Sequence, residues 1–193
     1  HDALRSPRGK AKEGGGLAAL SPQELVRQQI DALEQRCGTH ARAPDSLMLG
    51  CVGQADDQGG HIALIAKLHA GLPDDTAAIS LNNYCASGLT AIGQGASLVA
   101  SGQAQGVLAG GVECMSRVPF MGDRAAYYSD ASLPLRARYI PVVLAADRLA
   151  NAEGIERDEL DAVALASQQK AAAAETDPAL QRSRIATGTL DGE

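Results

Sequence analysis

The chain has no tryptophan, one phenylalanine and four tyrosines among its 193 residues. So few aromatic rings cannot build the stacking platforms on which single-stranded nucleic acid is held. Basic residues are also outnumbered, 17 Lys and Arg against 23 Asp and Glu, for a formal charge of −6. That balance offers no basic footprint for a nucleic acid. No stretch approaches the ~20 consecutive apolar residues of a membrane span. Nucleic acid and membrane are therefore not expected partners. Cysteine and histidine are sparse, four of each, and no two cysteines form a C-x-x-C pair. His40, His61 and His69 do not stand at zinc-ligand offsets from Cys37, Cys51, Cys85 or Cys114, so no metal is expected. Unpaired thiols in a chain of this size suit a reducing, cytoplasmic compartment. The chain begins at His1 without a signal-peptide pattern and reads as trimmed.

What the sequence does have is small residues. Alanine (36) and glycine (21) make up nearly a third of it, and hydrophobic residues 45%. Small side chains let helices and strands approach closely, which predicts tight α/β packing around one core. Residues 1–20 are polar and glycine-rich and read as loop. Ser21 and Glu24 form an S-x-x-E capping box with Pro22 at the first helical position. Val26, Ile30, Leu33 and Cys37 then share a helical face, and Gly38 closes the helix. Strands are predicted over 47–52, 77–81 and 106–109, with helices over 62–70 and 86–99 between them. Alternation of strand and helix at these loop lengths implies a right-handed α/β winding with parallel pairing. Leu89, Ile92, Ala96 and Val99 share one face of the helix at 86–99, which carries few charges. It is expected to be the most buried helix. Residues 116–141 lose this regularity, and helices are predicted to resume over 142–152 and 158–174. The acidic run from Glu156 to Asp161 reads as a solvated helix N-terminus.

The stretch Asn82-Asn83-Tyr84-Cys85-Ala86-Ser87-Gly88-Leu89 places a cysteine where a strand hands over to a helix. There the unpaired N–H groups and the positive end of the helix favour a thiolate. The small residues after it leave room for a ligand and for backbone donors to a developing oxyanion. The alternative is that Cys85 is one more small buried residue, the usual fate of a free cysteine. Cys37, Cys51 and Cys114 look inert, on an inner helix face, at a strand end and in a polar turn.

That stretch resembles the nucleophile motif of the thiolases, N-R-x-C-A-S-G-L-Q-A. Gly110-Gly111-Val112-Glu113-Cys114-Met115-Ser116-Arg117-Val118-Pro119 is similar to their G-G-x-E-x-M-S-x-x-P segment, at the spacing the family uses. Asp2-Ala3-Leu4-Arg5-Ser6-Pro7-Arg8-Gly9 resembles the family's opening D-A-x-R-T-P-x-G. Leu49-Gly50-Cys51-Val52-Gly53-Gln54 is similar to its L-G-x-V-x-Q strand end, and Ala166-Ser167-Gln168-Gln169-Lys170-Ala171 to its A-x-x-S-Q-x-x-A helix. Five motifs in order span nearly the whole chain.

The resemblance implies an α/β thiolase-type half, with a mixed, mainly parallel sheet covered by helices. Residues 1–193 would be the N-terminal domain and 116–155 an inserted loop region over the active site. It implies acyl transfer between coenzyme A thioesters, as in an acetyl-CoA C-acyltransferase of fatty acid β-oxidation, with Cys85 forming an acyl-enzyme. Acyl-CoA and CoA would be substrates, with no further cofactor. Phe120, Met121, Tyr127 and Tyr128, a bulky cluster in a chain otherwise poor in such groups, are expected to contact the substrate. The family's second half supplies a histidine base in a G-H-P motif, a second cysteine and the asparagine of an N-E-A-F motif. No histidine follows His69 here, so a chain or segment carrying that half is an expected partner, as is a second copy in a homo-oligomer. Asn83 stands at the family's usual Arg position and Thr90 at its usual Gln position. Alternatives are a non-catalytic half that binds acyl-CoA or a partner subunit, and a thioester hydrolase using water.

Overall fold

The computed structural model describes residues 1–188; residues 189–193 of the expected domain lie outside the described residues. The chain divides into two compact units, one built on His1–Asp123 together with the segment from Ser183, the other on Arg124–Arg182.

In the first unit, helix α1 spans Pro22–Cys37. Ser21 caps it, its Oγ accepting from the Glu24 N–H at 3.3 Å, and Gly38 ends it at φ +83°. Only half of the expected capping box forms. The Glu24 carboxylate turns to Arg27, Gln28 and His69 instead of to the Ser21 N–H. Strand β1 (Ser46–Gly50) leads through a loop to α2 (Ile62–His69), then β2 (Ala77–Leu81), α3 (Ser87–Ala100) and β3 (Val107–Gly111). The sheet order is β2-β1-β3, and both pairings are parallel, as helical crossovers require. The register aligns Gly50 with Leu81 on one side and Gly111 on the other, so three strands end level.

All five residues of β1 are buried, as befits a central strand covered on both faces. Leu47 and Leu49 point into a cluster with Val26 and Ile30 of α1 and Ala63 and Ala66 of α2. Met48, of opposite parity, lines an open groove with Ile79 and with Thr90 and Leu98 of α3. Helix α3 lies close to the sheet because its contact face is small. A Cβ on Gly95 would sit 2.9 Å from Val107 Cγ1.

Helix α3 departs from expectation. Only Ser87, Ala91 and Gly95 are buried, while Leu89 is 72% and Ile92 51% exposed. The i, i+4, i+8 row of small residues is what meets the sheet. Leu89, Ile92 and Val99 are exposed instead, and low charge on that face does not mean coverage within these residues. Cys37 also differs, being exposed rather than inward. The last turn of α1, from Gln35, projects beyond the core, and Cys37 Sγ meets Asp2 Oδ2 at 3.6 Å. Cys114, expected in a polar turn, is buried.

The second unit holds two short turns and α4 (Val142–Glu153), α5 (Arg157–Glu175) and α6 (Pro178–Gln181). Neither α4 nor α5 buries a residue, and Val142, Val143, Val163 and Leu165 are exposed apolar side chains. At the start of α5 the Glu156 N–H donates to Glu159 Oε2 at 3.1 Å, the solvated helix start the acidic run predicts. No helix among the described residues is long and apolar enough to cross a membrane.

Candidate active site

The level C-terminal ends of the three strands are where ligands bind in open α/β sheets, and glycine brings α3 against them. A Cβ on Gly50 would fall 2.3 Å from the Ser87 carbonyl carbon and 2.5 Å from the Gly88 nitrogen. One on Gly111 would fall 3.0 Å from the Gly50 oxygen and 3.3 Å from Gly88 Cα. The first turn of α3 is therefore seated directly on the ends of β1 and β3. Its N-cap, Ala86, offers no side-chain oxygen to the first-turn N–H groups.

Cys85 occupies the turn between β2 and α3 and is exposed, which removes the alternative of a small buried residue. The turn is cross-braced. Tyr84 holds φ +47°, a left-handed conformation that bulky L-residues rarely adopt. Its N–H donates to Asn82 Oδ1 at 2.8 Å, and the Asn82 amide donates to the Val52 carbonyl at 3.3 Å. Ser87 Oγ accepts from the Asn83 N–H at 2.8 Å and donates to the Tyr84 carbonyl at 2.5 Å. Cys85 lines neither of two clefts in the first unit. One, of about 380 Å³, lies between residues 4–11, α1 and the stretch 111–116, and the other is the groove along α3.

Cys37 is exposed as well, whereas the two buried thiols differ in kind. Burial pushes Cys51 up to about 12, with the Glu113 carboxylate adding to the effect. Burial likewise pushes Cys114 up to about 11, against a smaller opposing effect of Arg117. Both stay protonated at neutral pH and are poor nucleophiles.

Sequence reasoning missed a polar knot beside these strand ends. Glu113, just past β3, accepts from the N–H groups of Val52 (2.8 Å) and Gly53 (3.1 Å) and from Gln58 Nε2 (2.8 Å). Gln58, fully buried, also donates to the Gly53 carbonyl at 2.8 Å and accepts from the Cys114 N–H. The glutamate of the G-G-x-E motif was visible as a motif letter. Gln58, in a run of polar loop residues, carried no such signal.

The expected substrate contacts fall in both units. In the first, Phe120 is exposed and Met121 is half-buried at φ +62°. In the second, Tyr127 and Tyr128 pack with Tyr139, ring centroids 5.3–6.2 Å apart. Among the described residues, no group of three or more His, Cys, Asp or Glu side chains could hold a metal ion.

A parallel α/β unit with an exposed cysteine braced at a helix start defines a structural class. Comparison narrows the class. The family model of the thiolase N-terminal domain matches residues 2–186, and the chain belongs to the thiolase family. It is 35% identical over 191 residues to the β-ketoadipyl-CoA thiolase of Pseudomonas putida, covering 90% of this chain and 47% of that protein. It is 33% identical over 193 residues to the 3-ketoacyl-CoA thiolase FadA of Escherichia coli K12, covering 100% and 49%. Human mitochondrial 3-ketoacyl-CoA thiolase, solved in complex with CoA, superposes with a TM-score of 0.77 at 25% identity, covering 94% and 49%. The chain spans about half the length of the relatives it matches.

Proposed function

We propose that this chain carries the nucleophile of an acyl transfer between coenzyme A thioesters. In the degradative direction the Cys85 thiolate attacks the 3-keto carbonyl of a 3-ketoacyl-CoA. The C2–C3 bond breaks, the acyl group stays on sulfur as a thioester, and the two-carbon fragment leaves as the enolate of acetyl-CoA and takes up a proton. Attack by the thiolate of a free CoA then releases the shortened acyl-CoA and restores Cys85. Condensation is the same path reversed. A sulfur that is both a good nucleophile and a good leaving group divides one hard carbon–carbon step into two easier ones.

The observation that carries this reading is the contrast among the thiols. Cys85 is exposed in a braced turn at a helix start, whereas Cys51 and Cys114 are buried and held protonated. In the first turn of α3 the Ser87 N–H is already taken by the Tyr84 carbonyl at 3.0 Å, and the N–H groups that follow it are the proposed donors to an oxyanion. A histidine base and the remaining oxyanion donor would come from a second half of thiolase type, on a separate chain or a further segment, and the apolar face of α3 with Leu89 and Ile92 is the surface proposed to meet it. Residues 116–155 would lie over the active site, with Phe120, Met121, Tyr127 and Tyr128 against the acyl or pantetheine arm. A cytoplasmic homo-oligomer acting in fatty acid breakdown fits the same reading.

The test is incubation with acetyl-CoA or a 3-ketoacyl-CoA followed by peptide mass spectrometry. The acyl adduct is expected on the peptide holding Cys85 and is lost in Cys85→Ala. An adduct on Cys114 instead would overturn the assignment. No adduct at all, with and without an added second half, would leave a non-catalytic half that binds acyl-CoA.

A further inference from the structure

Asn83 and Thr90 flank Cys85, two residues before it and five after. The Asn83 side-chain amide donates to Thr90 Oγ1 at 2.9 Å, bridging from the cysteine turn to the first turns of α3. Asn83 is fastened a second time through its backbone N–H to Ser87 Oγ. Between Asn83 and Cys85 stands Tyr84 at φ +47°, a conformation that persists only where the surroundings over-determine it. These two positions are also the ones at which the nucleophile motif departs from the pattern it resembles, Asn for Arg and Thr for Gln. In this structure the two departures are each other's hydrogen-bond partners.

We propose that the Asn83–Thr90 pair is a positioning clasp that holds the turn carrying Cys85 in register with the start of α3. Both residues act through Cys85 and are not themselves catalytic. The inference rests on Cys85 being the nucleophile. The clasp closes from outside what Ser87 closes from within, since Ser87 is buried whereas the Asn83–Thr90 bond lies at the surface. Water competes for a hydrogen bond at the surface, so its loss should slow Cys85 by about three- to tenfold, the range that one such bond supports.

The readout is the alkylation rate of Cys85 by iodoacetamide, divided by that of exposed Cys37 in the same chain. Thr90→Val removes the hydroxyl at nearly constant shape, and Thr90→Ser keeps it. The ratio should fall about three- to tenfold in Thr90→Val and stay near the unsubstituted value in Thr90→Ser. Asn83→Ala should lower it as Thr90→Val does, and the double variant should be no slower than either single one, because one bond is being removed. Should Thr90→Val fail to fold, Asn83→Ala reads the same bond from its other end. An unchanged ratio in Thr90→Val and Asn83→Ala, or losses that multiply in the double variant, would overturn the clasp. Acylation by a thioester is measured in parallel on the unsubstituted chain. Its absence there, with and without an added second half, would count against Cys85 as acyl carrier, while the alkylation ratios would still report on the clasp.

Discussion

Replacing Gly50 with alanine tests whether the last residue of β1 is what lets α3 sit on the strand ends. The added Cβ would stand 2.3 Å from the Ser87 carbonyl carbon, 2.5 Å from the Gly88 nitrogen and 2.6 Å from the Ser87 oxygen. Ordinary carbon contacts begin near 3.4 Å, so about 1 Å of separation must be found. All three neighbours are backbone, and β1 is buried and paired on both sides, so neither element yields by rotating a side chain. Overpacking of this kind costs about 1–3 kcal/mol, and rigid backbone on both sides puts Gly50→Ala at the upper end, near 3 kcal/mol. With a urea slope of about 1–3 kcal/mol per molar, the unfolding midpoint should fall by at least about 1 M. The same displacement would move the start of α3 relative to Cys85, and a misplacement of about 1 Å in a catalytic group can cost about 10²-fold in rate. Gly93→Ala is the control. It lies on the same helix, with nothing within 4 Å of the point where its new methyl would stand, and should stabilise by about 0.5–1 kcal/mol through helix propensity alone. A Gly50→Ala chain with an unshifted midpoint and unchanged Cys85 alkylation would refute the account of how α3 is seated.

Gln58→Leu removes the buried amide that joins Glu113, the Gly53 carbonyl and the Cys114 N–H. Stability should fall by roughly 1–3 kcal/mol, and a chemical denaturation curve matching the parent would show the knot to be dispensable. Acid should also destabilise the chain through Glu24, whose carboxyl is held down at about 2 by hydrogen bonds from Arg27, with Gln28 and His69 adding to it. Because the folded value lies below the unfolded ~4.3, the contribution is complete above that value and is lost as pH falls from about 4.5 toward 2. It is worth at most about 3 kcal/mol. Glu24→Gln should flatten the acid limb of stability against pH, and an acid limb unchanged in that variant would disprove the assignment.

Much of this fold could be read locally. Ser21, Pro22 and Gly38 mark the ends of α1 because capping depends on residues three or four apart, and the strand at 77–81 and the helices expected over 142–152 and 158–174 lie close to where the sequence puts them. The place of Cys85 at a strand-to-helix junction was likewise legible, since the strand before it and the helix after it are each marked by local sequence. Tertiary structure decided matters that join distant parts of the chain. Gly50, Gly88 and Gly111 become one contact only after two parallel crossovers bring three strand ends level. Gln58 and Glu113, 55 residues apart, meet for the same reason. Burial of Cys114, exposure of Cys37 and the open apolar face of α3 were not legible, because periodicity identifies a face without saying what covers it. The small-residue row at Ser87, Ala91 and Gly95 won the sheet because close approach of backbones favours the face with the least side chain, not the one with the most hydrophobic area.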